Sequence, residues 1–131
     1  MNGISKPVVT NILECKECNV PKGWGHEVII ANNDLYCGKL LVFKKGCKFS
    51  MHYHMIKDET WYVLDGVFHV HWINTLNADV ITTKLVAGDT WHNEPLTPHQ
   101  VECIEEGTII EVSTADSVED NYRVMPGDSQ K

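Results

Sequence analysis

Long apolar runs are absent from this sequence. The longest are four residues, as in Leu40–Phe43, whereas a helix needs roughly 20 apolar residues to cross a bilayer. The first residues also lack the charged and then apolar order of a secretory signal, so we expect a cytoplasmic protein with no membrane partner. Basic residues are few and scattered, 11 against 18 acidic residues, which gives a formal net charge of −7. This balance argues against nucleic acids and anionic membranes as partners.

Helical periodicity is also missing. No long window repeats its apolar positions every 3.6 residues, so helices should be minor, and strands should not alternate with helices. The sequence instead has short segments rich in β-branched and aromatic residues, bounded by Gly, Pro or Asn-Asp turn signals. The predicted strands are Glu27–Ala31, Tyr36–Lys44, Lys48–Met55, Thr60–Leu64, Val67–Ile73, Val80–Leu85, Thr90–Asn93, His99–Ile104 and Thr108–Ser113. Many short strands in one domain of 131 residues predict an all-β sandwich or a jelly-roll barrel.

The two ends of the chain and its cysteines carry weaker patterns. Residues 1 to about 20 predict an arm or short edge strand, and 116–131 predict a polar tail with a loose end. Five cysteines, an odd number, predict free thiols in a reducing compartment and a fold without disulfides. Cys15 and Cys18 form a C-x-x-C without the second pair of a zinc site or the βαβ context of a redox site. We therefore interpret that motif as a coincidence.

A His-x-His pair in one predicted strand carries the strongest chemical signal. Side chains two apart on a strand share a face, so His52 and His54 project together, about 7 Å apart along the strand. The polar segment 56–58 can turn the chain back and bring the carboxylate of Glu59 to the same point. His99, in a later predicted return strand, can supply a third imidazole. Three neutral nitrogens and one carboxylate suit a single divalent transition metal, namely Zn, Mn, Fe or Ni.

These residues resemble the two motifs of the cupin family. The first motif, G-x5-H-x-H-x3–4-E-x6-G, is matched at Gly46, His52, His54, Glu59 and Gly66. The second motif is matched at Gly88 and His99, and departs at Glu94, Leu96 and Cys103, where the family has Pro, Gly and Asn. The resemblance covers about residues 21–115. It implies a double-stranded β-helix with the metal at the barrel mouth, and a homodimer in which Tyr53 and Tyr62 are candidate contacts.

Segments outside the metal motifs resemble one group of that family, the phosphomannose-isomerase-like cupins. The opening Lys22-Gly-Trp24-Gly-His26-Glu27 is similar to the K-P-W-G-x-E of that group, and Glu119, Asp120 and Arg123 are similar to its closing residues. Gln100 stands where the group has an arginine after the metal histidine. The resemblance implies a small-molecule substrate, a sugar or sugar phosphate, and a metal-dependent aldose–ketose isomerase. An Fe(II)-dependent dioxygenase and a non-catalytic binding protein remain the alternatives.

Three further residues are candidates for roles in that reaction. Isomerisation needs a base within hydrogen-bond reach of the substrate carbon, and Glu94 and His92 are our candidates, while Lys57 could attract a phosphate. The alternative interpretation is that all three are exposed surface residues.

Strand alternation also assigns side chains to the two faces of the barrel. Phe68, Val70 and Trp72 should pack inward, and the second His-x-His pair between them, His69 and His71, should then point outward. By the same alternation, Cys103, Trp61 and Val63 should line the interior.

Overall fold

Eleven β-strands are present in residues 8–131, the part of the chain that this computed structural model describes. They are joined mainly by turns, and the helical elements are three short 3₁₀ turns, Ile12–Glu14, Lys16–Cys18 and Asp128–Gln130. The strands are β1 Asn19–Lys22, β2 Gly25–Asn32, β3 Tyr36–Phe43, β4 Met51–Tyr53, β5 Glu59–Val63, β6 Val67–Ile73, β7 Val80–Val86, β8 Thr90–Asn93, β9 His99–Glu105, β10 Gly107–Thr114 and β11 Tyr122–Met125. All nine predicted strands are present.

The strands form two antiparallel sheets. One has six strands in the order β1-β2-β3-β10-β5-β8, and the other has five in the order β11-β4-β9-β6-β7. Strands distant in sequence are therefore neighbours in space, as where β10 lies between β3 and β5. The predicted all-β jelly-roll barrel is confirmed. Within residues 8–131, no helix is both long enough and apolar enough to span a membrane.

Alternating side chains of both sheets meet in one apolar core. Along β3 every second residue is buried, and Phe43 from this strand contacts Phe68 of the opposite sheet with ring centroids 5.2 Å apart. Trp24 stacks on Phe43 at 4.5 Å. Large aromatic rings bury about 150–250 Å² each, so these contacts contribute strongly to holding the two sheets face to face. Trp61 and Val63 are fully buried, as predicted, and Cys103 is part of the same core.

Gly66, the last glycine of the first motif, is required by a close approach of two turns. Its φ is +86°, in the left-handed region that favours glycine. A Cβ placed on it would lie 2.7 Å from the carbonyl oxygen of Glu105 and equally close to the Cα of Gly107. The turn after β5 can therefore pack against the β9–β10 turn only without a side chain at this position.

The C-terminal segment corrects one prediction. The polar tail was expected to end loosely, but it forms β11, which pairs with β4 and places Arg123 opposite His52. Further on, the carboxylate of Asp128 accepts a hydrogen bond from the backbone N–H of Lys48 at 2.7 Å. Tyr53, a candidate dimer contact, stacks on Tyr122 of β11 at 5.2 Å. Backbone pairing, rather than apolar burial, holds this segment to the barrel.

The N-terminal segment confirms one prediction and corrects another. The predicted edge strand is confirmed as β1, which pairs with β2, while residues 1–7 of the predicted arm lie outside the described part. Cys15 and Cys18 are joined by a disulfide, so the expectation of a fold without disulfides is wrong. Two successive 3₁₀ turns bring their Cα atoms to 5.3 Å, within bonding reach. Cys37, Cys47 and Cys103 are free thiols, as expected.

Candidate metal centre

Three imidazoles converge at one point of the barrel. His52 lies in β4 and pairs across the strands with His99, the first residue of β9, while His54 follows β4 directly. Their ring centroids are 4.9 to 5.6 Å apart, and their candidate ligand atoms all lie within 4.8 Å of one another. The prediction from strand alternation that the side chains of His52 and His54 point inward is confirmed.

Each of these rings is oriented by a hydrogen bond at Nδ1. His54 Nδ1 lies 2.6 Å from the carbonyl oxygen of Asp120, and His99 Nδ1 lies 2.9 Å from that of Thr97. Because a carbonyl can only accept, both Nδ1 atoms carry the proton, which leaves the lone pair on Nε2. His52 Nδ1 pairs with the hydroxyl of Ser50 at 2.9 Å. This outer layer of partners is the arrangement typical of metal-binding histidines.

The Nε2 of His99 provides the test of whether a cation fits. It is buried and has no hydrogen-bond partner among residues 8–131, although Glu59 Oε1 lies 2.9 Å away without hydrogen-bond geometry. An unshared lone pair therefore lies close to a carboxylate oxygen, which also lies 4.0 Å from His54 Nε2. A cation shared between these atoms would remove the repulsion and satisfy the buried nitrogen. The donor set of imidazole nitrogens beside a carboxylate thus fits a divalent transition metal.

Glu59 is held by two further contacts at the start of β5. Its side chain is 2% exposed, Asn93 of β8 donates to Oε1 at 3.1 Å, and the ammonium of Lys57 lies 3.1 Å from Oε2. Asn93 in turn accepts a hydrogen bond from the indole of Trp91 at 2.7 Å. These contacts fix the direction of the carboxylate beside the three imidazoles.

A buried network of charges continues from Glu59. Lys57 also lies 2.9 Å from Glu111 and 3.2 Å from Asp116, which itself pairs with Lys39 at 2.8 Å. Lys39 reaches a fourth carboxylate, that of Glu27, at 3.5 Å. Four carboxylates face two ammonium groups, so the network carries two negative charges in excess when fully ionised. A divalent cation at the imidazoles would balance that excess.

The pKa shifts of the imidazoles match a site that receives a cation. Burial lowers the pKa of His52 well below 6.5, and the neighbouring His99 and His54 lower it further. Burial also lowers the pKa of His54. Both rings are thus kept neutral, the form that binds metals.

The carboxylates of the network shift in opposite directions. Burial alone would raise the pKa of Glu59, but the ammonium of Lys57 helps to hold it well below 4.5. Burial and the charge of Glu59 raise the pKa of Glu111 to about 8. Burial would lower the pKa of Lys57, but its carboxylate neighbours, Glu111 first among them, raise it. Of the two carboxylates, Glu59 is therefore the stronger acid and Glu111 the stronger base.

Two of the three imidazoles, those of His52 and His54, lie in the wall of an open cavity of about 560 Å³. His52, His54, Glu59 and Glu111 line it, and Arg123 and Lys22 line it as well. Arg123 is the cross-strand neighbour of His52, so both side chains project from the same face. The cavity therefore combines a carboxylate-rich site with cations on its walls, and its volume accommodates a small polar molecule.

The three predicted reaction residues lie in different places. Lys57 is 4% exposed and lines the cavity of the imidazoles, so it is an interior residue rather than the surface residue of the alternative interpretation. His92 and Glu94 are exposed and line a separate cavity of about 250 Å³ beside Trp72 and Trp91. His92 pairs there with Asp58.

The second His-x-His pair faces away from the imidazole cluster, as predicted. Phe68 and Val70 are fully buried, while His69 and His71 between them are half-buried on the outer face of β6. His71 is engaged there by Thr82 at 2.7 Å and Glu102 at 3.0 Å.

The motif departures have local consequences. Leu96, where the cupin motif has glycine, adopts a φ of +73°, and its N–H donates to the carbonyl of His54 at 2.7 Å. This left-handed conformation is costly for a residue with a Cβ. Gln100, in place of the arginine, donates to the carbonyl of Phe49 at 2.8 Å and is buried, so its amide is used within the barrel wall.

Sequence reasoning missed the residues around the ligands. Glu111 follows Ile109 on the inward face of β10, a signal hidden because both faces of that strand carry apolar residues. Asn93 is the inward neighbour of His92 on β8 and is 2% exposed. Asp116 lies in the polar tail, where nothing in the local pattern marks a residue as interior, and Asp120 was singled out there only by its similarity to the closing residues of one group.

Comparisons with known proteins are limited to structure. The chain matches no protein-family model, and no curated protein sequence matches it. An RmlC-like cupin from Shewanella frigidimarina superimposes with a TM-score of 0.62 at 23% identity, over 72% of this chain and 78% of that one. KdgF from Halomonas sp. superimposes with a TM-score of 0.62 at 19% sequence identity, over 72% of this chain and 81% of KdgF. Oxalate decarboxylase from Bacillus subtilis superimposes with a TM-score of 0.72 at 17% sequence identity, over 91% of this chain and 33% of the decarboxylase.

Proposed function

We propose that this chain, whose fold is that of the cupins, is a metal-dependent enzyme that interconverts an aldose and a ketose, either free or phosphorylated. The observation that carries the proposal is the buried Nε2 of His99, unpartnered among the described residues, beside His52, His54 and Glu59 in the wall of an open polar cavity. A cavity of about 560 Å³ suits a sugar-sized molecule.

The metal ligands in this proposal are the Nε2 atoms of the three histidines and a carboxylate oxygen of Glu59. A divalent metal bound there would polarise the carbonyl and the adjacent hydroxyl of a sugar, which makes the neighbouring carbon more acidic. The chain contributes rings fixed at Nδ1 and a carboxylate fixed by Asn93, so the ligand geometry is set before binding.

Moving a proton between adjacent carbons requires a group that takes it from one carbon and returns it to the next. Glu111 and Lys57 line the cavity of the imidazoles, whereas His92 and Glu94 line the separate cavity beside the tryptophans. We therefore assign proton transfer to the carboxylate of Glu111, which lies 2.9 Å from the ammonium of Lys57. The C–H bond that breaks gives its proton to the ionised carboxylate of Glu111, the same proton forms the new C–H bond on the neighbouring carbon, and the hydroxyl proton passes between the two oxygens, so no oxidant is needed.

Arg123 and Lys22 supply a place for an anionic group of the substrate. Both line the cavity, and Arg123 projects from the same face as His52. A guanidinium can hold a phosphate or carboxylate through two charge-assisted hydrogen bonds, a role that Gln100 does not take because its amide is bonded to Phe49. This favours a sugar phosphate or a sugar acid over a neutral sugar.

The test is a screen of aldoses and ketoses, with and without phosphate, using protein loaded with Zn²⁺, Mn²⁺, Fe²⁺ or Ni²⁺. We expect interconversion of one pair, followed by proton NMR in deuterated water, that His52→Ala abolishes and His69→Ala leaves intact. Arg123→Gln should raise KM for an anionic substrate. If no pair is interconverted and the iron-loaded protein consumes oxygen with another small molecule, the isomerase proposal is wrong and a dioxygenase replaces it.

A further inference from the structure

Asp120 lies beside the metal centre without being one of its ligands. It is 8% exposed and precedes β11, in the tail that folds back over β4. Its carboxylate accepts hydrogen bonds from three successive backbone N–H groups, those of Met55 at 2.7 Å, Ile56 at 3.2 Å and Lys57 at 2.9 Å. These three residues belong to the link between His54 and Glu59.

The backbone of Asp120 contacts a ligand directly. Its carbonyl oxygen accepts the hydrogen bond from His54 Nδ1 at 2.6 Å, which directs His54 Nε2 towards the other imidazoles. One residue of the tail therefore holds both the ring of one ligand and the chain that leads to the next. Two residues later, Tyr122 begins the pairing of β11 with β4, which anchors Asp120 in turn.

We propose that Asp120 is a positioning residue that preorganises the metal centre by fixing the 54–59 segment, an inference that rests on the proposed metal site. Met55 and Ile56 are exposed, so their side chains do little to hold this link in place. Without the carboxylate, three N–H groups would turn to water, and the part of the link before the ion-paired Lys57 would be free to move. His54 and Glu59 would then have to be ordered at the moment of metal binding, and that cost would appear as weaker affinity.

The expected size of the effect follows from other metal sites. Removing a partner that orients a metal ligand typically weakens metal affinity by about 10- to 100-fold. Asp120→Asn keeps the shape but replaces one acceptor oxygen with an amide that faces N–H donors, so it should fall within this range.

Two matched controls separate positioning from general anchoring of the tail. Glu119→Gln changes the adjacent exposed carboxylate, which bonds only to Ser117 among the described residues. Asp128→Asn removes a second carboxylate of the tail that accepts a backbone N–H, that of Lys48, away from the 54–59 segment. If any loosening of the tail weakened the metal site, Asp128→Asn would act like Asp120→Asn.

The experiment is a competition titration of Zn²⁺ against a chromophoric chelator, with circular dichroism to verify folding and ¹⁵N NMR to follow the ring of His54. We expect Kd to rise 10- to 100-fold in Asp120→Asn, with an altered His54 signal, and to stay within about twofold in both controls. Unchanged Kd in a folded Asp120→Asn, or an equal rise in Asp128→Asn, overturns the inference.

Two other outcomes are distinguishable from these. If the unaltered protein binds no metal, the proposed function fails before Asp120 is tested. If Asp120→Asn does not fold, the metal Kd of Asp120→Ser is measured in its place. The serine hydroxyl can accept fewer of the three N–H bonds, while the backbone carbonyl contact to His54 is kept. An unchanged Kd in that variant overturns the inference in the same way.

Discussion

The two His-x-His pairs of this chain have the same spacing and both lie in or beside strands of the same sheet, yet they face opposite sides of it. His52 and His54 line the cavity, with each Nδ1 engaged and each Nε2 directed towards His99. His69 and His71 lie on the outer face of β6, where His71 is bonded through both ring nitrogens. The spacing brings two imidazoles to one face, and the apolar residues between or around them decide which face that is.

The same contrast separates inner and outer charges. Lys57 is paired with carboxylates inside the barrel, and Lys45 pairs with Glu105 on the surface at 3.4 Å. The inner charges are organised around the imidazole cluster, and the outer ones are solvated. The candidate metal centre is thus part of a polar inner wall supported by an apolar core.

The largest expected effect comes from breaking the inner charge network. Lys57→Met should destabilise the metal-free protein by about 3–5 kcal/mol, because it leaves Glu59 and Glu111 buried without their cation. Lys45→Met should change stability by at most about 1 kcal/mol, since its side chain is 66% exposed. Urea unfolding measures both. Equal effects would mean that the inner network is as solvated as the surface pair.

Metal addition should give the next largest effect. A divalent metal at 100 times its Kd stabilises the folded state by about 2.7 kcal/mol, which thermal unfolding detects as a rise in Tm. The rise should vanish in His99→Ala and persist in His71→Ala, and excess chelator should reverse it. A rise that survives in His99→Ala would place the metal elsewhere.

A smaller effect should distinguish neighbours on β8. Asn93 points inward and donates to Glu59, while His92 points outward. Asn93→Ala should weaken metal binding by about 10- to 100-fold, because the ligand carboxylate loses the partner that orients it. His92→Ala should leave the Kd unchanged. Titration of both variants with Zn²⁺ checks this, and the reverse ranking would contradict the assignment of faces.

The smallest effect should come from reducing the Cys15–Cys18 disulfide. It closes a short loop in the N-terminal segment, outside the apolar core, so reduction should leave the metal Kd unchanged and lower Tm only slightly. Scanning calorimetry with and without a reductant measures this. A large drop in Tm would show that the N-terminal segment stabilises the barrel as a whole.

Much of the fold was predictable because strand alternation is a local signal. The inward Phe68 and Val70 identified the outward His69, and the cupin motif brought His99 to His52 across more than forty residues of sequence. The motif could predict this long-range pairing because its spacing encodes the topology. Leu96 shows the limit of such a motif, since it stands at the motif's glycine position and has a left-handed backbone.

The remainder could not be predicted because it depends on contacts between distant polar residues. Lys57 looks like an exposed turn residue until Glu111 and Asp116, more than fifty positions away, surround it. Asp120 lies in a polar tail without apolar periodicity, and backbone pairing places it. Pairing of this kind leaves no trace in the pattern of apolar residues.

The most direct test of the central claim is the metal content of purified variants after equilibration with a divalent metal and removal of the excess. Elemental analysis should find close to one ion per chain in the unaltered protein and in the double variant His69→Ala, His71→Ala. It should find almost none in His52→Ala or His99→Ala. Full occupancy in the latter two, or loss of metal from the outward double variant, would contradict the account.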